Sequence, residues 1–246
     1  MSKGNSFQGA IALITGANKG IGYEIARGLG EREIVVLIGA RDEARGQAAA
    51  AKLNDEGMDA RFVPLDVTRE ETISRAAQWI AGQFGHLDIL VNNAGIAEWG
   101  FKPSDVDLAK VREVYETNLF GPMAVTQAML PLLRRSKHGR IVNVSSSLGS
   151  LSMANDSQSP VSQFVALGYN TSKTALNSMT VQFANELRDT PIKVNAVCPG
   201  YCATDINGHR GPRSAAQGAI APIRYATLGD EGPSGGIFDE NGRVPW

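Results

Sequence analysis

The amino-acid sequence predicts an α/β fold in which helices cover both faces of a doubly wound, mostly seven-stranded parallel sheet. The chain has 246 residues, enough for one large domain with a substantial core. Short apolar runs alternate with longer amphipathic segments, and this order implies right-handed strand–helix–strand crossovers. No linker, repeat or low-complexity tract divides the chain, so residues 1–246 are expected to form a single domain.

The predicted strands are rich in β-branched and apolar residues, without strict alternation of polar and apolar side chains. This pattern is typical of strands that are buried on both faces of a parallel sheet. The seven predicted strands are Ala12–Ile14, Ile34–Gly39, Arg61–Leu65, Ile89–Asn92, Arg140–Val144, Lys193–Val197 and Gly236–Phe238.

The segments between these strands carry apolar residues at helical spacing. The predicted helices include Gly22–Gly30, Ala44–Glu56, Glu70–Phe84, Asp107–Ser136 and Asn170–Arg188. Residues 147–168, with the sequence SLGSLSMANDSQSPVSQFVALG, form the longest stretch without clear periodicity. A loop of that length in a compact domain usually binds a ligand or covers a site, so we expect one of these roles for an insert at about residues 147–168.

Charge and hydropathy argue against nucleic-acid and membrane partners. The chain has 24 basic and 25 acidic side chains and a formal net charge of -1, so no overall field attracts a polyanion or a membrane surface. No apolar run approaches the length of a membrane span, and the first residues, MSKGNSFQGA, lack the apolar core of a secretory signal. We therefore expect a cytoplasmic protein.

The cysteine content argues against a metal site or a disulfide. Cys198 and Cys202 are the two cysteines, and only three histidines could join them. Their spacing is not that of a metal or redox motif. Both are predicted to be free thiols, the usual state of cysteines in the cytoplasm.

A glycine-rich loop, ITGANKGIG, follows the first predicted strand and opens the first predicted helix. Backbone N–H groups and the positive end of a helix at such a place bind phosphate, and glycines permit the tight turn and close approach of a pyrophosphate. A structural turn is the alternative, but the strand before and the helix after favour a dinucleotide site. The expected contacts are Gly16, Asn18, Lys19, Gly20, Ile21 and Gly22.

The end of the second strand favours NADPH over NADH. NAD sites usually place an acid there, bonded to the ribose 2′-hydroxyl. Here Arg41 follows the strand, and an arginine can pair with a 2′-phosphate; Lys19 and Arg45 can add positive charge. Asp42 is the competing acid, which we interpret as the N-cap of the next helix. The alternative for Arg41 and Arg45 is that both are ordinary surface charges.

Three further polar motifs lie at predicted strand ends. NNAG ends the fourth strand at Asn92–Gly95, NVSS ends the fifth at Asn143–Ser146, and YNTSK, Tyr169–Lys173, begins a helix after the long loop. Ligands of open parallel sheets bind at the carboxyl ends of the strands. These motifs and the glycine loop are therefore expected to meet at one edge of the sheet.

The chain resembles the short-chain dehydrogenase/reductase family in seven segments that occur in the family's order. They are TGANKGIG, Asp66-Val67, NNAG, Asn118, NVSS, YNTSK and PGYCAT. The resemblance covers nearly the whole chain and implies a Rossmann-type fold. GARDEARGQAA, the long insert before the tyrosine and the terminal VPW are similar to the NADPH-dependent carbonyl reductase branch.

The resemblance implies four catalytic residues. Tyr169 would protonate the carbonyl oxygen as hydride reaches carbon, and Lys173, with oxidised nicotinamide, would lower the pKa of a phenol from its ordinary ~10. Lys173 would also bind the nicotinamide ribose. Ser146 would orient the substrate oxygen, with Ser145 as its alternative. Asn118 would hold a water that links Lys173 to solvent.

Each of these residues also has a structural interpretation. Tyr169 and Lys173 could be an aromatic residue and a solvated charge on an ordinary helix, since Tyr-x-x-x-Lys occurs in many helices. Ser146 could be a cap at the end of a strand. Asn118 could stabilise a bend in a long helix.

The same resemblance implies further cofactor contacts. Asp66 and Val67 would border the adenine, unless Asp66 is simply the N-cap of the next helix. The expected contacts of the nicotinamide half and the pyrophosphate are Asn93, Gly95, Tyr169, Lys173, Pro199, Gly200, Cys202 and Thr204.

Assembly and substrate follow less directly. The 22 residues between Ser146 and Tyr169 exceed the family's usual spacing and could cover the helix face used for oligomers, which favours a monomer.

Trp99 and Tyr201 are expected at an apolar substrate pocket. The insert could line this pocket through Met153, Phe164 and Val165. The loop 207–213 could close as a lid. Its His209, Arg210 and Arg213 could recognise an acidic substrate, but we expect them to be solvated loop charges.

The expected activity is therefore NADPH-dependent reduction of ketones or aldehydes to alcohols. One alternative is a dedicated alcohol, steroid-type or acyl-thioester enzyme, which would show a narrow substrate range. The other is a non-catalytic NADPH sensor, which normally lacks the tyrosine or the lysine; both are present here.

Overall fold

The sheet has seven parallel strands, as the sequence predicts. In the computed structural model, which describes residues 7–246, they are β1 Ile11–Thr15, β2 Val35–Ala40, β3 Ala60–Pro64, β4 Ile89–Asn92, β5 Arg140–Val144, β6 Lys193–Val197 and β7 Ile237–Phe238. Their order across the sheet is β3-β2-β1-β4-β5-β6-β7. The prediction of no secretory signal concerns an N-terminal stretch whose first six residues lie outside the described part.

The strand order creates the crevice in which the site lies. The chain leaves β3 at one edge and returns to the middle as β4, which pairs with β1 in the register Ile14↔Val91. Crossovers on the two sides of this pair run to opposite halves of the sheet, so the loops after β1 and β4 diverge from a common gap. The glycine loop and the NNAG segment are these two loops.

Helices cover both faces of the sheet. They are α1 Gly20–Gly30, α2 Glu43–Asp55, α3 Glu70–Phe84, α4 Leu108–Tyr115, α5 Gly121–Leu133, α6 Leu151–Asn155, α7 Leu167–Glu186 and α8 Ala215–Ala226. One apolar core joins α1, α2 and α8 to the sheet, and a second joins α3, α5 and the end of α7 to its other face. No helix within residues 7–246 combines the length and apolar character that a bilayer crossing requires.

The predicted helix Asp107–Ser136 is wrong as a single element. Between α4 and α5 lies a π-helical turn, Glu116–Phe120, and α5 ends at Leu133. Proline has no amide hydrogen, so Pro122 cannot donate to the Asn118 carbonyl four residues earlier as an α-helix requires. The backbone widens at this point, and Asn118 lies in the widened turn.

The stretch 147–168 is not structureless. It contains α6 between two 3₁₀ turns, Ser147–Gly149 and Pro160–Gln163. Serine hydroxyls accept backbone N–H bonds at the start of each turn, and such short local structures leave no periodic pattern in a sequence.

Helix α8 was missed because Pro222 and several alanines obscure its apolar period. Its capping box, in which the Ser214 hydroxyl and the Gln217 side chain exchange hydrogen bonds with each other's backbone N–H, was the available signal.

Candidate active site

The glycine loop is built against the NNAG segment. Gly16 and Gly20 have φ of 65° and 58°, in the left-handed region that favours glycine. A side chain at Gly22 would collide with the Asn93 amide. Asn93 Nδ2 donates to the Thr15 carbonyl at 2.9 Å. The first turn of α1 has no side-chain cap, so its N–H groups remain available to a phosphate.

The loop after β6 lies over the glycine loop. Lys19 forms an ion pair with Asp205, and His209 Nε2 lies 2.8 Å from the other oxygen of the same carboxylate. A methyl group on Gly20 would be 3.7 Å from the Thr204 methyl. Hydrogen bonds from Lys19 hold the pKa of Asp205 below its usual value. Lys19 is therefore engaged by a carboxylate at the place where a cofactor phosphate is expected.

The charges after β2 are arranged as the sequence predicts for Asp42. Its carboxylate caps α2 by accepting from the Arg45 N–H at 2.9 Å, and this bond lowers the pKa of Asp42. Arg45 Nε also pairs with Asp42, at 2.9 Å. Arg41 is exposed beside them. The acid after β2 is thus committed to its own helix and to Arg45, while Arg41 is exposed beside them.

Asp66 is not the N-cap of α3; that position is Arg69. Asp66 closes the turn before the helix, because its Oδ1 accepts from the Thr68 N–H at 3.0 Å and from the Thr68 hydroxyl at 2.7 Å. Val67 is buried against the start of α5, where a side chain on Gly121 would lie 2.9 Å from its Cγ2.

Tyr169 and Lys173 lie one turn apart near the start of α7, where YNTSK was expected to begin a helix. The Lys173 side chain is buried, and its Nζ donates to the Val144 carbonyl at the end of β5 at 2.8 Å. Burial lowers the pKa of Lys173 to about 8. Burial also raises the pKa of Tyr169 to about 12, although the Ser146 hydrogen bond acts in the lowering direction.

The pKa shift of Tyr169 describes the protein without cofactor, so the expected lowering of the phenol pKa in the presence of cofactor stays a prediction. Lys173 was expected, together with oxidised nicotinamide, to lower the phenol pKa. In the described structure burial of the phenol is the largest influence on its pKa and raises it, against the lowering influence of Ser146.

The structure separates the two serines at the end of β5. Ser146 lies close enough to the Tyr169 side chain to lower its pKa, and its Oγ accepts from the Leu148 N–H at 3.1 Å. Ser145 is buried, and its hydroxyl donates to Asn177 Oδ1 at 2.6 Å. Of the two candidates, only Ser146 lies beside the phenol.

Asn118 ties the π-helical turn to its surroundings. Its Oδ1 accepts from the Ile96 N–H and its Nδ2 donates to the Ile96 carbonyl, both at 2.9 Å. Nδ2 also lies 3.1 Å from the Ser172 hydroxyl. A side chain on Gly95 would be 3.4 Å from Asn118 Oδ1 and 3.7 Å from Lys173 Nζ. The segment that ends β4 is therefore fixed beside Lys173.

Trp99 and Tyr201 occupy different places. The Trp99 ring lies 5.4 Å from the Tyr169 ring, and its Nε1 donates to the Ile206 carbonyl at 2.7 Å. Tyr201 instead packs against Phe164 of the insert, with 5.9 Å between ring centroids. Trp99 thus borders the phenol, whereas Tyr201 connects the loop after β6 to the insert.

The other two insert residues named from the sequence have different surroundings. Val165 is 51% exposed. Met153 lines a cavity of about 270 Å³ with Pro199 and Gly200, on the side of the C-terminal segment.

The PGYCAT segment is held by a pair that the sequence did not reveal. Arg213 forms two bonds to the Glu240 carboxylate, at 2.5 and 2.8 Å, and its carbonyl accepts from Ala203 N at 2.8 Å. Treating Arg213 as a solvated loop charge was therefore wrong. Cys202 is buried, and its Sγ donates to the Pro199 carbonyl at 3.3 Å.

Both cysteines are free, as predicted. Within residues 7–246, no three side chains of histidine, cysteine, aspartate or glutamate are grouped to hold a metal ion.

Glu98 is the site residue that the sequence analysis missed. It is only 8% exposed, and its Oε1 accepts from the Gly168 N–H at 2.5 Å and from the Tyr169 N–H at 3.1 Å. No spacing rule connects a glutamate after β4 with a helix 70 residues later. The one signal was an acidic residue in the otherwise apolar stretch AGIAEW.

Comparison with known proteins gives one consistent result. A family model described as short chain dehydrogenase matches residues 10–214. The chain is 35% identical to (-)-isopiperitenone reductase of Mentha piperita, covering 92% of this chain and 95% of that protein. It is 33% identical to carbonyl reductase (NADPH) 1 of Bos taurus, covering 98% and 100%. The crystal structure of NADPH-bound carbonyl reductase from chicken fatty liver matches with a TM-score of 0.84 and 27% identity, covering 97% and 100%.

Proposed function

The chain belongs to the short-chain dehydrogenase family, and from this premise we propose that it is an NADPH-dependent carbonyl reductase. It would transfer hydride to the carbonyl carbon of a ketone or aldehyde and give the alcohol. The observation that carries the proposal is the meeting of Tyr169, Ser146 and Lys173 at the carboxyl edge of the sheet, beside the glycine loop.

Tyr169 is the proposed general acid. NADPH supplies the hydride when bound. The phenol holds its proton at neutral pH, because burial raises its pKa to about 12, and it gives that proton to the carbonyl oxygen. Ser146 lies beside the phenol and acts on its pKa, so its hydroxyl is placed to bind the same substrate oxygen and stabilise developing charge.

Lys173 and Asn118 are proposed to return a proton from solvent to Tyr169. Burial brings the pKa of Lys173 to about 8, near enough to neutrality for the amine to exchange protons with water. Because Pro122 has no N–H, it cannot donate to the Asn118 carbonyl as the fourth residue onward does in a regular α-helix. That carbonyl is therefore a suitable acceptor for a water between Lys173 and solvent.

The residues present fit NADPH. The uncapped start of α1 and the left-handed glycines of its loop suit a pyrophosphate, and the exposed Arg41 and Lys19 suit a 2′-phosphate. Asp42, which could favour NADH, is occupied by capping α2. The names of the bovine relative and of the chicken structure, both of which specify NADPH, agree with this choice.

The remaining cofactor contacts stay proposals by family resemblance. Asp66 and Val67 would border the adenine; Asn93, Gly95 and Lys173 would line the nicotinamide and its ribose. Pro199, Gly200, Cys202 and Thr204 would meet the carboxamide and the pyrophosphate.

A single-domain cytoplasmic monomer is part of the proposal. The insert packs on α7, where Thr174 Oγ1 donates to the Gly149 carbonyl at 3.0 Å and Asn170 Nδ2 donates to the Phe164 carbonyl at 2.9 Å. Chain in this position covers helix surface that would otherwise be available to a second copy.

The experiment is oxidation of NADPH and of NADH against a panel of small ketones and aldehydes, with Tyr169→Phe in parallel. We expect turnover with NADPH that the substitution abolishes. Tight NADPH binding without turnover on a broad panel would favour a narrow-range enzyme or a sensor. Failure to bind either cofactor would overturn the proposal.

A further inference from the structure

Helix α7 begins without a cap of its own. Its N-cap residue is Ala166, which has no side chain able to accept from the N–H groups of the first turn. Glu98, from the loop after β4, supplies the acceptor: one carboxylate oxygen receives both the Gly168 and the Tyr169 N–H. A carboxylate is also the charge that the positive end of a helix favours.

Stability alone does not account for this arrangement. Glu98 Oε2 is buried without a hydrogen-bond partner in the part of the chain that the structure describes, which is unfavourable for a carboxylate. An aspartate, asparagine or serine at position 166 would cap the same helix with its own side chain, without burying an unpaired oxygen. The distant carboxylate therefore calls for a role beyond capping.

Gly168 makes room for this carboxylate. A Cβ at position 168 would lie 2.9 Å from Glu98 Oε1, closer than real Cβ atoms approach, and 3.1 Å from its Cδ. The contact between the two segments is thus specific on both sides: a buried acid on one and the absence of a side chain on the other.

The segment that carries Glu98 contacts Tyr169 twice. Glu98 accepts from its backbone N–H, and the ring of Trp99 lies 5.4 Å from its ring. The same segment is fixed at its start by the bonds between Ile96 and Asn118. Tyr169 is therefore clamped to the strand end that borders the expected nicotinamide position.

We infer that Glu98 is a positioning residue for the proposed general acid: its carboxylate fixes the first turn of α7 and so holds the Tyr169 phenol against Ser146. This inference rests on the proposed function. If the acceptor is lost, two buried N–H groups lose their partner and the first turn loosens. Displacement of a reacting group by about 1 Å can lower the rate by ~100-fold.

The test compares Glu98→Ala, Glu98→Gln and Gly168→Ala with Asp107→Ala. Glutamine keeps an oxygen that can accept both bonds, so it should retain most activity. Gly168→Ala displaces the carboxylate from the other side and should reproduce part of the loss in kcat expected for Glu98→Ala. Asp107 caps α4 by accepting from the Ala109 N–H at 2.8 Å, is exposed, and lies outside the proposed catalytic set, so it is the matched loss of a carboxylate cap.

Glu98→Ala should lower kcat by about 10- to 100-fold while the Kd for NADPH changes less than twofold. Asp107→Ala should lower Tm without changing kcat. A kcat for Glu98→Ala equal to that of Asp107→Ala would overturn the inference. So would a Glu98→Gln variant as slow as the alanine variant, since charge rather than positioning would then be at work.

A titration of the ligand-free protein separates this inference from the proposed function. The Tyr169 ring signal can be followed by NMR in carbon-labelled protein and assigned with Tyr169→Phe. In Glu98→Ala a loosened turn admits water, so the phenol pKa should fall from about 12 toward its ordinary ~10. An unchanged titration would contradict the inference even if the protein reduces no carbonyl tested. A shifted titration would support it independently of turnover.

Discussion

Lys173 Nζ lies 5.6 Å from the centroid of the Tyr169 ring while it donates a 2.8 Å hydrogen bond to the Val144 carbonyl. The ammonium thus stands near the phenol and is held by the end of β5. Since both groups are desolvated, each is pushed toward its neutral form: the pKa of Lys173 falls to about 8 and that of Tyr169 rises to about 12. The following predictions depend on this arrangement and its neighbours.

Replacing Tyr169 by phenylalanine should lower kcat by at least ~100-fold, because the proton donor is lost while the ring contact with Trp99 is kept. Steady-state NADPH oxidation measures this. Tyr225→Phe is the matched control: that ring is buried in α8 and stacks on Phe238 with 4.6 Å between centroids. Equal rates for the two variants would contradict the assignment.

Removing Lys173 should change how stability depends on pH. A lysine whose folded pKa is lowered from 10.5 to about 8 binds fewer protons when folded, so it penalises the folded state fully below about pH 8. The penalty is relieved as the pH rises from about 8 to 10.5. Lys173→Met should therefore be relatively more stable at neutral pH, by up to about 3 kcal/mol, with the advantage gone above pH 10.5.

Urea unfolding of both proteins across pH 6–10 checks the Lys173 prediction. A constant difference in the free energy of unfolding over this range would refute it, because the only pH-dependent contribution that the substitution removes is the titration of the buried amine.

The two serines after β5 should separate activity from stability. Ser146→Ala removes the hydroxyl beside Tyr169 and should lower kcat by ~100-fold with little change in stability. Ser145→Ala leaves Asn177 Oδ1 buried without its 2.6 Å donor and should cost about 1–3 kcal/mol while kcat is kept. Thermal melts measure the stability of both variants, and initial rates measure their kcat. A reversal of the two outcomes would assign the role to Ser145.

Freeing Lys19 should strengthen the preference for NADPH. Asp205 holds Lys19 in an exposed ion pair, so Asp205→Asn should lower the Kd for NADPH a few-fold and leave that for NADH unchanged. Fluorescence titration with both cofactors measures this. The control is Glu71→Gln, which breaks an equally exposed pair with Arg75 on α3. If the Kd for NADH falls as much as the Kd for NADPH, Lys19 does not face the 2′-phosphate.

Removing Arg41 should have the opposite effect. Arg41 is exposed after β2, and its guanidinium is the proposed partner of the 2′-phosphate. Arg41→Ala should raise the KM for NADPH by at least ~10-fold and leave the KM for NADH within twofold. Equal losses with both cofactors would indicate a general structural effect of the substitution.

Much of the fold and part of the candidate site followed from local sequence patterns. The seven strands and the helices α1 to α3 lie within about two residues of their predicted bounds, because apolar periodicity reports burial within one element. The glycine loop and the Tyr169–Lys173 spacing are equally local. The missed elements were those whose local signals conflict: the π-helical turn before Pro122, the short turns of the insert and α8 with its internal proline.

Contacts between distant segments were beyond the reach of such patterns. Glu98 lies 70 residues before the N–H group it accepts from, and Lys19 lies 186 residues before Asp205. The family resemblance favoured Ser146 over Ser145, and the structure adds that Ser146 lies beside the phenol whereas Ser145 donates to Asn177.

The amino-acid sequence by itself determined the strands and most helices, the glycine loop and the residues able to carry acid–base chemistry. The reason is that spacing along the chain sets which side chains share a helix face or a strand end. Only the tertiary structure decided which groups are desolvated and which polar partners they find. Those choices depend on how the crossovers bring separate loops together at the edge of the sheet, and they set the proton affinities of Tyr169 and Lys173 and the place of Glu98 beside them.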